Sequence, residues 1–137
     1  MTTTTYNKPL PIDNVSARPF WAHAKEGRLV VQHCDVCGHL HFPPGPVCPA
    51  CLADKQSFQE VSGRGTLVSW VHFHRAYWDG FQGDLPYNVC LVKLAEGPII
   101  ISNLVGELPE KLRAGVGVTV VFDAVSEELT LPRFKLD

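Results

Sequence analysis

In the second half of the chain, apolar and polar residues alternate in short runs that are separated by glycine, proline and acidic residues. Alternation with a period of about two is the pattern of a half-buried strand. It predicts five strands, with a tight turn over Ala95-Glu96-Gly97 and a short helical turn over Glu107 to Arg113. The strands are Gly65 to His74, Tyr87 to Leu94, Pro98 to Val105, Gly117 to Val125, and Leu129 to Leu136. Five strands in so short a segment are typical of a small closed barrel of the OB type.

The first half of the chain has a different pattern. A helix is predicted from about Ala17 to Glu26, with Ser16 as its N-cap, Pro19 in its first turn and Gly27 at its end. Three short strands follow, at Arg28 to His33, His39 to Phe42 and Gln56 to Val61. We therefore expect a mainly β protein with three parts: a flexible N-terminal tether (1–15), a small module (16–60) and the barrel (61–137).

The small module contains four of the five cysteines, in two C-x₂-C pairs that are separated by ten residues: Cys34, Cys37, Cys48 and Cys51. Two such pairs that face each other present four thiolates at tetrahedral geometry, which suits zinc. Because four thiolates leave no open coordination position, we expect one structural zinc ion. An iron site with the same ligands is the alternative. Disulfides and a redox-active C-x-x-C pair lack their usual context here.

Other titratable side chains allow two interpretations each. His33, His39 and His41 lie around the first cysteine pair, where we expect them to decorate the strands, since four thiolates already complete the metal shell. Cys90 stands in an apolar run and reads as a buried small hydrophobe in preference to a catalytic thiol.

Composition and charge exclude several classes of protein. The 137 residues carry a net charge of −2, and no apolar run approaches the length of a membrane span. The N-terminal residues do not resemble a secretory signal, so a cytoplasmic location is expected. From Glu60 onward there are seven basic and ten acidic side chains. An acidic barrel is a poor match for nucleic acid, whose phosphates require cations.

We find no complete catalytic motif in the sequence. His72 and His74 alternate on one predicted strand and share a face, but no nucleophile, phosphate-binding loop or carboxylate pair accompanies them. The expectation is that this chain alone holds no catalytic residue.

Aromatic residues mark two candidate partner surfaces. Phe20 and Trp21 lie on the short helix, and Tyr77, Trp78 and Phe81 lie in a loop between two strands. Loops seldom expose several aromatic rings unless a ligand or another protein covers them, although packing back on the barrel is the alternative.

The combined order of motifs resembles a bacterial and archaeal family that joins an N-terminal rubredoxin-like zinc ribbon to a C-terminal OB-fold. The resemblance covers about residues 16–136 and rests on Pro19-Phe20-Trp21, Leu29 to Gln32, the two cysteine pairs with Gly38, Pro43-Pro44 and Pro49, Gly63-x-Gly65-Thr66-Leu67, and Pro132-Arg133-Phe134. It implies that the four cysteines hold the metal of the ribbon.

The same resemblance implies a non-catalytic partner of thiolase-superfamily enzymes that act on acyl-CoA, including thiolases, acyltransferases and aldolases in lipid and steroid metabolism. We therefore expect an accessory subunit that completes such a complex. One alternative is direct acyl-CoA binding by the barrel, with Arg64 or Arg75 on the phosphates. Single-stranded nucleic-acid binding and independent catalysis are weaker alternatives.

Overall fold

The computed structural model describes residues 6–137, so residues 1–5 of the predicted tether lie outside the described residues. Residues 6–15 form neither helix nor strand. The elements then follow in the order α1 (Arg18–Lys25), β1 (Val30–Cys34), β2 (Leu40–His41), β3 (Gln56–Glu60), β4 (Arg64–Phe73), a 3₁₀ segment (Asp79–Asp84), β5 (Tyr87–Leu94), β6 (Ile99–Ser102), β7 (Leu104–Val105), β8 (Gly117–Ala124) and β9 (Thr130–Leu136).

The strands form two sheets. The first sheet has three antiparallel strands in the order β2-β1-β3, and the second has six in the order β6-β5-β4-β8-β9-β7. The predicted mainly β fold, with one short helix, a ribbon and a barrel, is confirmed. No helix within residues 6–137 combines the length and apolar character that crossing a bilayer requires.

The predicted third strand of the barrel is two strands, because the chain changes partner at Asn103. The Asn88 side chain occupies the break: its Nδ2 donates to the Leu104 carbonyl at 2.8 Å, and the Leu104 N–H donates to its Oδ1 at 2.6 Å. β6 pairs with β5, whereas β7 pairs in parallel with β9. One asparagine therefore helps the last strands to close the barrel.

Two local predictions were wrong. Glu107 to Arg113 form no helical turn: Pro109 lacks an N–H and favours extended backbone at the residue before it. Ser16 is not the N-cap of α1, since Ala17 precedes the helix and the Asn14 carbonyl accepts the Ala17 and Arg18 N–H groups at 2.9 and 3.1 Å. The predicted end of the helix at Gly27, which has a φ of +77°, is confirmed.

A single apolar core runs through both parts of the molecule. Leu29 and Val31 of the ribbon belong to the same buried cluster as Leu67 and Phe134 of the barrel. Phe20 of α1 also lies in this cluster, with its ring 5.3 Å from that of Phe42. The helix therefore packs between the ribbon and the barrel.

The junction between the two parts requires a glycine. Gly63 has a φ of +81°, and its carbonyl accepts the Val120 N–H at 2.8 Å. A Cβ at this position would lie 2.3 Å from Val120 Cγ1. Both the backbone conformation and the close approach of β8 therefore exclude a side chain here.

The segment of residues 6–15 contacts the barrel near the 3₁₀ segment. Lys8 Nζ lies 2.8 Å from Asp84 Oδ2 and 5.2 Å from the centre of the Phe81 ring. The backbone of Asn7 comes so close to Gly80 that a Cβ there would lie 2.4 Å from the Asn7 carbonyl oxygen. This part of the predicted tether thus has specific contacts on the barrel.

Candidate functional site

The four predicted metal ligands converge at one end of the ribbon. The Sγ atoms of Cys34, Cys37, Cys48 and Cys51 all lie within 4.8 Å of one another. Cys34 Sγ is 3.6 Å from Cys51 Sγ, and Cys37 Sγ is 3.7 Å from Cys48 Sγ. A tetrahedral zinc–thiolate site with bonds of about 2.3 Å has sulfur–sulfur edges of about 3.8 Å. The donor set and its geometry therefore fit one zinc ion.

Backbone N–H groups donate to two of the four sulfurs, the buried ones of Cys34 and Cys48. The Cys37 N–H donates to Cys34 Sγ at 3.4 Å, and the Ala50 N–H donates to Cys48 Sγ at 3.3 Å. The Cys37 N–H lowers the pKa of Cys34 to about 6, because a donor that points at sulfur stabilises the thiolate. The ribbon thus favours the charged form at Cys34, whereas burial and the neighbouring sulfurs raise the pKa of Cys37 and of Cys51 above the usual value.

The turn between the cysteine pairs is held by two glutamines that the sequence analysis missed. The buried Gln32 side chain donates to the Gly45 carbonyl at 3.0 Å and accepts the Gly45 N–H at 2.8 Å. Gln56 Nε2 donates to the same carbonyl at 3.0 Å. These contacts fix the proline-rich turn on the ribbon and so place the second cysteine pair opposite the first. A polar residue inside the apolar run of β1 was the available signal.

The histidines near the site make other contacts. His33 Nδ1 lies 3.2 Å from Asp35 Oδ1, and His41 Nε2 contacts Gln56 Oε1. The rings of His39 and His41 stack, with their centres 5.7 Å apart. Within residues 6–137, the four cysteines are the one group of three or more His, Cys, Asp or Glu side chains that converges in this way.

The two aromatic residues of α1 have different environments. Phe20 is only 4% exposed and contacts Trp21 edge to face, with ring centres 5.0 Å apart. Trp21 is half-buried and lines an open groove of about 890 Å³ together with Leu10, Ile12 and Leu129. Phe20 therefore belongs to the core and supports Trp21 from behind, so its ring is not itself offered to a partner. The partner role of Trp21 stays a prediction.

The aromatic loop after β4 is likewise divided. Phe81 stacks on Tyr87 of β5 at a centre-to-centre distance of 4.8 Å, so this ring packs on the barrel. Tyr77 and Trp78 remain 63% and 58% exposed. The sequence left two interpretations of this loop, packing on the barrel and exposure to a partner. Phe81 fits the first, and Tyr77 and Trp78 fit the second.

The two arginines considered for an acyl-CoA ligand do not come together. Arg64 begins β4 and Arg75 lies just beyond its end, on the order of 30 Å along the strand. The Arg75 guanidinium lies over the Tyr77 ring at 5.2 Å. They cannot hold one phosphate group jointly, and a ligand role for either stays a prediction. His72 and His74 are both exposed.

Comparison with known proteins identifies the family. A family model described as "ChsH2, rubredoxin-like zinc ribbon domain" matches residues 21–55. A second model, described as "ChsH2, C-terminal OB-fold domain", matches residues 58–123. The solved structure "Ltp2-ChsH2(DUF35) aldolase" contains a chain with a TM-score of 0.83 and 36% identity, and the alignment covers 93% of the present chain and 98% of that one.

Two curated relatives support the same family assignment. A "DUF35 domain-containing scaffold protein" of Pyrococcus furiosus is 34% identical, with 79% of each chain covered. A "Probable enoyl-CoA hydratase alpha subunit" of Thermomonospora curvata is 37% identical over 93% of this chain, which spans only 40% of that longer protein. The cysteine cluster is the zinc site of a ribbon, as predicted. The chain belongs to the DUF35 family, in which a rubredoxin-like zinc ribbon precedes an OB-fold.

Proposed function

We propose that this chain is an accessory subunit that binds a thiolase-superfamily enzyme acting on acyl-CoA and completes its complex. The observation that carries the proposal is the likeness to a chain of the solved structure "Ltp2-ChsH2(DUF35) aldolase", which extends over 98% of that chain. The name "scaffold protein" of the archaeal relative supports the same role. We place this subunit in the cytoplasm, with its partner holding the catalytic residues.

The candidate docking residues are the half-buried Trp21 and the exposed Tyr77 and Trp78. Aromatic rings anchor protein interfaces because they bury a large apolar area at a small cost in conformational entropy. Each ring packs on a phenylalanine: Trp21 on Phe20, Trp78 on Phe81, and Tyr77 on Phe73. In this proposal the zinc site has a structural role, since its four thiolates leave no position for a substrate.

Co-expression with the thiolase-superfamily proteins of the same organism tests the proposal. We expect one complex in size-exclusion chromatography, and Trp78→Ala should weaken it about tenfold or more. Ile99→Ala is a matched control, because Ile99 is 47% exposed but pairs with Lys93, at the opposite end of β5 from Tyr87. If this chain elutes separately from all of them and those enzymes are fully active alone, the proposed function is wrong.

A further inference from the structure

Leu52 has a backbone conformation that leucine rarely adopts. Its φ is +66°, and within residues 6–137 it is the one residue other than glycine with a positive φ. The left-handed region brings Cβ too close to the carbonyl oxygen, so this conformation costs free energy for an L-residue with a side chain. The Leu52 side chain is also 73% exposed, so burial does not compensate for that cost.

A comparison with the first cysteine pair shows what this position normally requires. The Gly38 N–H donates to the Cys34 carbonyl at 2.9 Å, and the Leu52 N–H donates to the Cys48 carbonyl at 2.8 Å. The two turns also share the next bond: the Cys34 N–H donates to His39 O at 3.0 Å, and the Cys48 N–H donates to Ala53 O at 2.9 Å.

Leu52 is therefore the structural equivalent of Gly38, whose φ is +79°. The first turn satisfies this geometry with glycine, and the second turn satisfies it with an exposed leucine. A strained residue whose side chain has no role in its own fold is a reason to look for a role outside it.

Two further exposed aliphatic residues are direct sequence neighbours of the metal ligands, as Leu52 is. Val36 is 64% exposed and precedes Cys37, and Val47 is 41% exposed and precedes Cys48, while Leu52 follows Cys51. Because the four sulfurs lie within 4.8 Å of one another, all three residues belong to the two turns that meet at one metal site. We name Val36, Val47 and Leu52 the knuckle-tip cluster.

We infer that the knuckle-tip cluster is a docking anchor, in which Leu52 enters an apolar pocket on the thiolase-superfamily subunit. This inference rests on the proposed function and assigns it a second contact surface, on the ribbon. A metal-clamped turn is already ordered, so a side chain displayed on it binds with little loss of conformational entropy.

The size of the cluster favours this occupant over a second copy of the chain. A stable interface buries roughly 800 Å² on each partner. Three aliphatic side chains on two tight turns supply only a fraction of that area. They suit one anchor within a larger interface with a different protein.

The test separates binding from folding at one position. Leu52→Gly and Leu52→Asn both fit a positive φ and remove the apolar side chain, whereas Leu52→Met is the matched control that keeps an apolar side chain. We expect Leu52→Gly and Leu52→Asn to retain zinc and to unfold at the same or a higher urea concentration than wild type. We expect both to bind the thiolase-superfamily subunit at least about tenfold more weakly, with Leu52→Met close to wild type.

Each outcome decides the question. Unchanged affinity in Leu52→Gly or Leu52→Asn, beside a wild-type complex, overturns the anchor and leaves the proposed function intact. Loss of zinc in both variants shows that the leucine serves the fold, which also overturns the anchor. If the wild-type chain forms no complex at all, the proposed function and the anchor fail together.

Discussion

The ribbon and the barrel are stabilised in different ways although they share one core. The barrel buries Leu67, Val92 and Phe134 among its own strands. The cysteine turns of the ribbon bury Cys34 and Cys48 but expose Cys37 and Cys51 together with the knuckle-tip cluster. The barrel is thus held by burial of apolar surface, whereas the turns depend on metal coordination. The comparison shows that a short chain can display apolar side chains at a rigid tip when a metal ion, and not a core, holds that tip.

Removing the metal should have the largest effect, and this effect should be confined to the ribbon. We expect Cys34→Ser, or strong chelation, to unfold residues 34–55, because structural zinc contributes about 10–16 kcal/mol in small zinc modules. Hydrogen exchange should show loss of protection in those residues and retained protection in β4 and β5. If the barrel loses protection to the same extent, the two parts do not have separate sources of stability.

Truncating a side chain in the barrel core should have the opposite effect: it should destabilise the barrel and leave the zinc site intact. Phe134 is fully buried, so Phe134→Ala should lower the free energy of unfolding by about 3–5 kcal/mol. Urea denaturation measures this change, and the zinc content of the folded variant should stay at one ion per chain. The control Val68→Ala, at a 39% exposed position of β4, should change stability much less. Release of zinc from folded Phe134→Ala protein would contradict the comparison.

A change at the junction should affect both parts together. Gly63→Ala places a Cβ against Val120 in a left-handed backbone conformation, and we expect a loss of about 2–4 kcal/mol. Gly83→Ala is the control, because a Cβ there meets no atom within 4 Å, and it should stay within about 0.5 kcal/mol of wild type. Thermal unfolding of the two variants distinguishes a strained junction from a tolerant one.

The smallest effect concerns thiol reactivity. Burial raises the pKa of Cys90 to about 11, so at pH 8 this thiol is almost entirely protonated and reacts slowly with iodoacetamide. After chelation we expect four cysteines to be alkylated rapidly and Cys90 to be modified only when urea opens the barrel. Mass spectrometry counts the adducts. Rapid modification of Cys90 in the folded protein would show that this strand is open.

Much of the fold follows from the sequence, because alternation and turn residues report local structure. β5 has the predicted bounds, and Gly27 ends the helix as expected. The break at Asn103 was not predictable, since it depends on hydrogen bonds to Asn88, fifteen residues away. The N-cap at Ser16 failed for a similar reason, because the Asn14 carbonyl accepts the first N–H groups of the helix.

The metal site was predictable and the surface was only partly so. The spacing of the four cysteines determines their chemistry, and the fold brings their sulfurs together. Exposure, by contrast, depends on what lies on the far side of each ring: Phe42 covers Phe20, and Tyr87 covers Phe81. The positive φ of Leu52 also could not be predicted from the residue type, since leucine does not indicate a left-handed turn.

The shared core has a consequence for anyone who wishes to divide or recombine such chains. A barrel produced without α1 would carry an open slot where the Phe20 ring belongs, and a ribbon produced alone would present Leu29 and Val31 to water. Grafting the metal-binding half onto the barrel of a relative would therefore succeed only if α1 and the barrel residues that surround Phe20 are transferred as well. The exchangeable unit is larger than the boundary between the two halves implies.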